Sequence, residues 1–201
     1  LTQYVRRALD LGIIDEWHVW DFTRSEEDRL WVSENFGPAR FMHPDTPYNP
    51  AGEVTALSPF RMDAGIGGDL HLALLPKNDP DVFYEFVVGG WDNQLSAVRK
   101  MGRSELATFN RDTVPRIAEF STPGILSPSL PNPVALAIDR NGHPVLTVNG
   151  MKIGPINEIN LSGGADVMVR GGWGSDLEIL NVNATFRRYI GPRNEKYPSH
   201  H

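Results

Sequence analysis

Two segments of the sequence combine residue types that suit ligand binding. Each follows a β-prone run and contains two glycines and a tryptophan: GGWDN at residues 89–93, the first GGW segment, and GGWGSD at residues 171–176, the second. A tryptophan stacks its flat apolar face on the C–H face of a pyranose, while nearby Asn, Asp and Arg side chains bond to hydroxyl groups. Both segments therefore indicate sugar binding, unless the tryptophans are core or turn residues beside glycines that permit bulges.

The other predicted binding residues lie on strands close to these segments. Asp69 and His71 are two positions apart in the alternating run DLHLALL, so they project from the same face of a strand. A lone histidine on such a strand is otherwise a half-buried scaffold residue. Arg99 and Arg170 either reach ligand oxygens or pair with Glu85 or Asp69. The predicted ligand-binding residues are Asp69, His71, Trp91, Asn93, Arg99, Arg170 and Trp173.

Two further segments have the form of cofactor or metal sites, and we interpret both as turns. DAGIGGD at residues 63–69 contains the Asp-x-Gly-x-Gly pattern of nucleotide and S-adenosylmethionine loops, which requires a helix after the loop. Strand alternation follows instead, so we predict no helix at residues 69–80 and no cofactor. DPD at residues 79–81 lies in a polar turn between two strands. Because GxSxG, HExxH and EF-hand patterns are missing from the sequence, we predict neither a catalytic residue nor a metal site.

Short strands are the elements that must position these residues. The 201 residues include 19 Gly and 16 Pro, which is typical of strands joined by many turns. Alternation with period two recurs after residue 52, and Asn-Gly pairs at residues 141–142 and 149–150 predict hairpins. We therefore predict a mainly β chain whose residues 52–190 form an antiparallel β-sandwich of jelly-roll type.

The first 45 residues follow a different pattern. LTQYVRRALDLGII has helical spacing, WHVW suits a strand, and Thr23 with Glu26 forms a capping box before a second helical stretch. ARFM adds a short strand before the proline-rich run HPDTPYNPAG. We predict a partial α/β segment at residues 1–45, the sandwich at residues 52–190 and a tail at residues 191–201.

Charge and composition exclude some classes of partner. A net charge of −6 does not attract nucleic acid, and no apolar run is long enough to span a membrane. Without cysteine the chain has neither a disulfide nor a thiolate nucleophile. None of these features indicates a cellular compartment.

The central motif resembles that of a known family. His-x-x-Leu, Tyr-Glu-x-x-x-Gly-Gly-Trp-x-Asn and Ser-x-x-Arg follow one another, as in the farnesoic acid O-methyltransferase-like domain family. The matching positions are His71, Leu74, Tyr84, Glu85, Gly89, Gly90, Trp91, Asn93, Ser96 and Arg99. This resemblance implies a domain that occurs beside carbohydrate-active domains and lacks the doubly wound sheet of ordinary methyltransferases. Methyl transfer is therefore not predicted.

The N-terminal run LDLGIIDEWHVWDFTRSEEDRLWV is similar to the early region of bacterial and viral glycosyltransferases. The two resemblances together imply a β-sandwich fused to, or inserted in, a larger glycosyltransferase. We predict a carbohydrate-recognition module of glycan metabolism, non-catalytic on its own, whose partner is a glycan or small sugar. The alternatives are a nucleotide-sugar-dependent glycosyltransferase that uses the N-terminal segment, and a structural or protein-interaction module.

Overall fold

A computed structural model describes residues 40–42, 47–108, 111 and 113–180 of the chain, and strands dominate them. The strands are β1 (Arg40–Met42), β2 (Asn49–Val54), β3 (Phe60–Gly65), β4 (Leu70–Pro76), β5 (Val82–Gly89), β6 (Leu95–Gly102), β7 (Arg116–Ser121), β8 (Asn132–Ile138), β9 (Pro144–Val148), β10 (Met151–Ile153), β11 (Ala165–Gly171) and β12 (Leu177–Leu180). Apart from β1, the predicted α/β segment and its resemblance to glycosyltransferases lie outside the described residues, as does the predicted tail. The division into domains stays a prediction.

The strands of the described residues form two six-stranded antiparallel sheets. The first sheet has the order β1-β12-β3-β8-β9-β10, and the second has the order β2-β11-β4-β5-β6-β7. β1, which comes from the ARFM run, pairs with β12 at the edge of the first sheet. The predicted antiparallel β-sandwich is confirmed.

Alternating residues of β4 and β5 fill the core between the sheets. Leu70, Leu72 and Leu74 of β4 and Phe86 of β5 belong to one buried cluster with Phe60 of the first sheet. Burial of apolar surface stabilises the sandwich by roughly 25 cal/mol per Å². This face of β4 is the one that the sequence alternation predicts.

The outer face of the second sheet is also buried in part, which alternation alone does not predict. A second apolar cluster here consists of Tyr48, Ala73, Leu75, Phe83 and Met101, with Leu106, Val114 and Met168 packed against it. Leu106 and Val114 come from the segment between β6 and β7, so the described part of this segment packs on the sheet. It covers part of the outer face and leaves a cleft beside it.

Helical geometry is limited, within the described residues, to two short turns, Gly90–Asn93 and Arg103–Glu105. β4 directly follows the glycine loop of DAGIGGD, so the prediction that no helix occupies residues 69–80 is confirmed. The loop therefore leads into a strand, whereas a phosphate-binding loop of this type leads into a helix. Across the described residues, no helix has the length and apolar character that crossing a bilayer demands.

Candidate functional site

A cleft of about 810 Å³ opens on the outer face of the second sheet. Its floor consists of His71, Val87 and Arg99, which come from β4, β5 and β6 and are all buried. The strand register produces this floor, because His71 lies opposite Val87 and because Arg99 lies opposite Glu85. The other lining residues are Asp69, Trp91, Asp92, Arg111, Val114, Pro115, Arg116, Glu119 and Trp173.

Glu85 is a fully buried carboxylate in the same sheet. Arg111 donates from Nε to Oε1 at 2.9 Å and from Nη2 to Oε2 at 3.0 Å, and the Tyr48 hydroxyl donates to Oε2 at 2.6 Å. Arg170 Nη2 lies 3.8 Å from Oε2. Burial acts to raise the pKa of Glu85, but the hydrogen bonds from Arg111 and Tyr48 and the neighbouring positive charge outweigh it and lower that pKa. Glu85 is therefore ionised, and its oxygens are already engaged by the protein.

His71 is a buried, neutral side chain at the floor. The residue is 3% exposed, and neither ring nitrogen has a hydrogen-bond partner among the described residues. Burial lowers the pKa of His71 to about 4; the Glu85 carboxylate opposes this shift and the neighbouring arginine charges add to it. At neutral pH the imidazole therefore contributes no charge to the cleft.

The main chain of Asp69 joins the two GGW segments. Its N–H donates to the Gly89 carbonyl and its carbonyl accepts from the Gly172 N–H, both at 3.0 Å. Burial, with repulsion by the Asp92 carboxylate as a second cause, raises the pKa of Asp69 to about 6. Two segments that are far apart in sequence therefore meet at one end of the cleft, beside a pair of carboxylates.

The first GGW segment folds as a left-handed turn between β5 and β6. Trp91, Asp92 and Asn93 have φ angles of 50°, 58° and 61°, a region that costs roughly 1–2 kcal/mol for each L-residue. Gly89 has a φ of 63°, and a Cβ there would lie 2.7 Å from Asn93 Oδ1. Asn93 holds the turn, since its Nδ2 donates to the Leu126 carbonyl at 2.7 Å and its Oδ1 accepts from the Leu126 N–H at 3.1 Å. Strain of this kind concentrates at functional sites.

Both tryptophans are exposed at the rim of the cleft. Trp91 is 43% exposed and Trp173 is 73% exposed. The Arg116 guanidinium lies 4.1 Å from the centre of the Trp91 ring and the Arg99 guanidinium 5.9 Å, within the range of cation–π contacts. Arg116 also pairs with Glu119. Neither tryptophan is a core residue, and both lie in turns.

The cleft brings together five of the seven predicted binding residues, namely Asp69, His71, Trp91, Arg99 and Trp173. Asn93 and Arg170 do not line it. Asn93 clamps the first GGW turn, and Arg170 is buried opposite His71 and pairs with Glu85, which is the second of the two roles considered for it. Ligand binding by the five stays a prediction.

The segment between β6 and β7 contributes cleft residues that no pattern in the sequence predicted. Arg111, Arg116 and Glu119 reach the cleft from this segment and from β7, and no alternation or motif in the sequence connects them with the GGW segments. Asp92 was the easier residue to find, because it lies inside the first GGW segment. The described residues contain no group of three His, Asp or Glu side chains placed to hold a metal ion.

Comparison with family models identifies the domain. The model of the farnesoic acid O-methyl transferase family matches residues 44–163. The chain belongs to this family. The farnesoic acid O-methyl transferase match includes the cleft residues from β4 to β7 but ends before β11, so the second GGW segment lies beyond it. The resemblance predicted from the central motif is therefore confirmed.

Solved structures with a similar arrangement share little sequence with this farnesoic acid O-methyl transferase family member. Galectin LEC-6 of Caenorhabditis elegans is 14% identical, with 72% of this chain and 94% of that chain covered and a TM-score of 0.41. The Emp46p carbohydrate recognition domain is 9% identical, with 82% and 91% covered and a TM-score of 0.40. The Ruminococcus gnavus IT-sialidase CBM40 is 14% identical, with 79% and 96% covered and a TM-score of 0.32. At TM-scores this low the similarities carry no information on the ligand of this chain, and no curated protein matches it in sequence.

Proposed function

We propose that this chain is a carbohydrate-recognition module that binds a glycan or small sugar in the cleft and is non-catalytic on its own. The observation that supports this most strongly is the position of two exposed tryptophans, Trp91 and Trp173, at the rim of a cleft with a polar, buried floor. Large apolar side chains exposed on a concave surface that also holds a few convergent polar groups are typical of ligand sites.

Trp173 is the better platform for a sugar ring. It is the more exposed of the two tryptophans, whereas Trp91 already has the Arg116 guanidinium close to its ring. Asp69 and Asp92 supply carboxylate oxygens that accept hydrogen bonds from sugar hydroxyls, and Arg99 supplies N–H donors. An apolar ring face and both kinds of hydrogen-bonding group are thus available in one cleft.

The cleft is largely preformed. The Asn93 side chain fixes the first GGW turn to Leu126, and the main chain of Asp69 connects this turn to the second one. Because these groups are held before a ligand arrives, binding costs little additional conformational entropy. More of the contact free energy is then available for affinity.

Glycan-array screening followed by calorimetry tests this function. We expect saturable binding of at least one class of glycan, which Trp173→Gly weakens by about 1–3 kcal/mol, the usual loss for an aromatic anchor. Glycine suits the φ of 52° at residue 173, so the variant should stay folded. Leu57→Ala is the control, because Leu57 is 97% exposed and does not line the cleft. Absence of any glycan binding, or equal binding by all three proteins, would contradict the proposal.

The resemblance of the N-terminal segment supports a second candidate, a nucleotide-sugar-dependent glycosyltransferase to which this sandwich is fused. The two functions differ in a measurable way, because a recognition module binds sugars without consuming a nucleotide sugar. Release of a nucleoside diphosphate from an added nucleotide sugar, dependent on an acceptor glycan, would favour the enzyme. A folded chain that binds no glycan at all would favour a structural or protein-interaction module.

A further inference from the structure

Arginines are concentrated at the floor of the cleft and beside it. Arg99 lies on the floor, Arg111 and Arg116 line the cleft, and Arg170 adjoins it through Glu85. The carboxylates of the same region are Glu85, Glu119, Asp69 and Asp92. His71 is uncharged at neutral pH and does not alter the balance between them.

Two of these carboxylates, Glu85 and Glu119, already have arginine partners. Glu85 accepts two hydrogen bonds from Arg111 and one from Tyr48, with the Arg170 guanidinium at ion-pair distance. Glu119 pairs with Arg116 at the rim. The buried carboxylate therefore has little capacity left for a further cation.

Arg99 is the cation without such a partner. It is only 8% exposed, and it forms no ion pair with any described residue. Its Nε donates to the Val114 carbonyl at 3.3 Å, and no described residue accepts a hydrogen bond from Nη1 or Nη2. A buried guanidinium without an anion is costly. The unused pair of N–H groups has the fork geometry that binds a carboxylate through two parallel hydrogen bonds.

No carboxylate of the cleft forms an ion pair with Arg99 among the described residues. Asp69 and Asp92 line the same cleft, where their carboxylates repel each other. The donors that an entering anion finds unused are therefore those of Arg99.

We infer that the cleft binds an acidic sugar, whose carboxylate forms a paired hydrogen bond with Arg99 while its ring stacks on the exposed tryptophan at the rim. This inference rests on the proposed function and narrows it from carbohydrates in general to sugars that carry a carboxylate, such as uronic acids. A sulfate ester presents similar oxygens, so the experiment has to distinguish the two anions.

Calorimetry with three matched oligosaccharides tests the inference on the unmodified protein: an oligogalacturonide, its methyl ester and a neutral galactan of equal length. We expect the free acid to bind at least about tenfold more tightly than the ester. The reason is that hydrogen bonds to charged groups contribute roughly 1.5–3 kcal/mol. A sulfated galactan forms a fourth arm. If it binds more tightly than the carboxylate, the assignment to acidic sugars is wrong.

Two arginine variants locate the anion site. Arg99→Gln should abolish the preference for the acid over the ester, and Arg99→Lys should retain part of it. Arg140→Gln is the matched control, since it removes the same charge from an exposed turn between β8 and β9. The unfolding midpoint shows whether Arg99→Gln is folded. If this variant does not fold, the comparison of acid and ester on the unmodified protein decides the question. Equal affinity for acid and ester, with both lost in Trp173→Gly, would overturn the acidic-sugar inference but leave sugar binding intact; absence of all sugar binding would overturn both.

Discussion

The α-carbon of Gly172 lies directly against the imidazole of His71. A Cβ at residue 172 would come within 2.6 Å of Nε2 and 2.7 Å of Cε1. The second GGW turn is therefore seated on a buried side chain of β4, and it carries Trp173 at its tip. The position of Trp173 at the rim of the cleft therefore depends on the His71 side chain at its floor.

Gly172→Ala should destabilise the protein by about 1–3 kcal/mol, the usual cost of overpacking a buried site. The added methyl group has to displace the His71 ring or the backbone of the turn. Urea unfolding measures the change, and Gly163→Ala is the control because its nearest neighbour would be 3.5 Å away. The double variant with His71→Ala should recover part of the loss. Equal effects of the two glycine substitutions would contradict the contact.

The stability of the protein should fall between pH 6.5 and pH 4 because of His71. Its pKa is about 4 in the folded state and near 6.5 when unfolded, so the unfolded chain binds more protons in this interval and acid favours unfolding. The loss attributable to this group is about 3 kcal/mol. The free energies of unfolding of wild type and His71→Gln, measured at several pH values, should become more similar as the pH falls. Parallel curves would show that His71 is not buried in its neutral form.

Asp69 should contribute a pH dependence of the opposite sign. Its pKa of about 6 exceeds the ordinary value of 3.8, so the folded state binds more protons than the unfolded state between these pH values. The free energy of unfolding therefore falls as the pH rises through this interval. Asp69→Asn should therefore stabilise the protein at pH 7 and have no such effect at pH 3.5, since asparagine accommodates the φ of 54°. Asp139 is the control. Its pKa is lowered by backbone hydrogen bonds from His143 and Asn141, so Asp139→Asn should destabilise at pH 7.

Glu85→Gln should destabilise the protein by about 3–5 kcal/mol, because it leaves the buried charges of Arg111 and Arg170 without their carboxylate. Glu53→Gln is the matched control. It breaks an ion pair with Lys77 whose two side chains are both exposed, and no measurable change is expected. Chemical unfolding of both variants compares them directly. A loss no larger than that of the surface variant would show that Glu85 does not anchor this cluster.

Trp91→Gly should be more stable than Trp91→Ala by about 1 kcal/mol. Both variants lose the ring and its contact with Arg116, but only glycine relieves the positive φ of residue 91. At the exposed residue Leu57, whose φ is not positive, the order should reverse, with alanine more stable than glycine. Thermal unfolding of the four variants measures both differences. An alanine variant that equals or exceeds the glycine variant at residue 91 would contradict the left-handed turn.

The strands could be predicted because their alternation is a local property. DLHLALL shows which face of β4 enters the core, and the structure has Leu70, Leu72 and Leu74 there. The buried outer face could not be predicted in this way. Tyr48 and Val114 reach it from segments without strand period, so its burial follows from tertiary contacts.

The role of Asn93 illustrates why the site was predicted only in part. Its side chain was expected to bind a ligand, yet it bonds to Leu126, which is 33 residues further along the chain. A glycine pair followed by a tryptophan indicates a turn at a strand end. The residue type alone does not reveal whether a polar side chain in that turn faces the cleft or its own scaffold.

Both sheets remain open until the last described strands have been synthesised. β11 lies between β2 and β4, and β12 lies between β1 and β3. A nascent chain that has emerged only as far as residue 163 therefore has a vacant slot in each sheet, bordered by unpaired N–H and C=O groups that invite aggregation. We therefore expect both sheets to close only once residues 165–180 are available to pair with their neighbours.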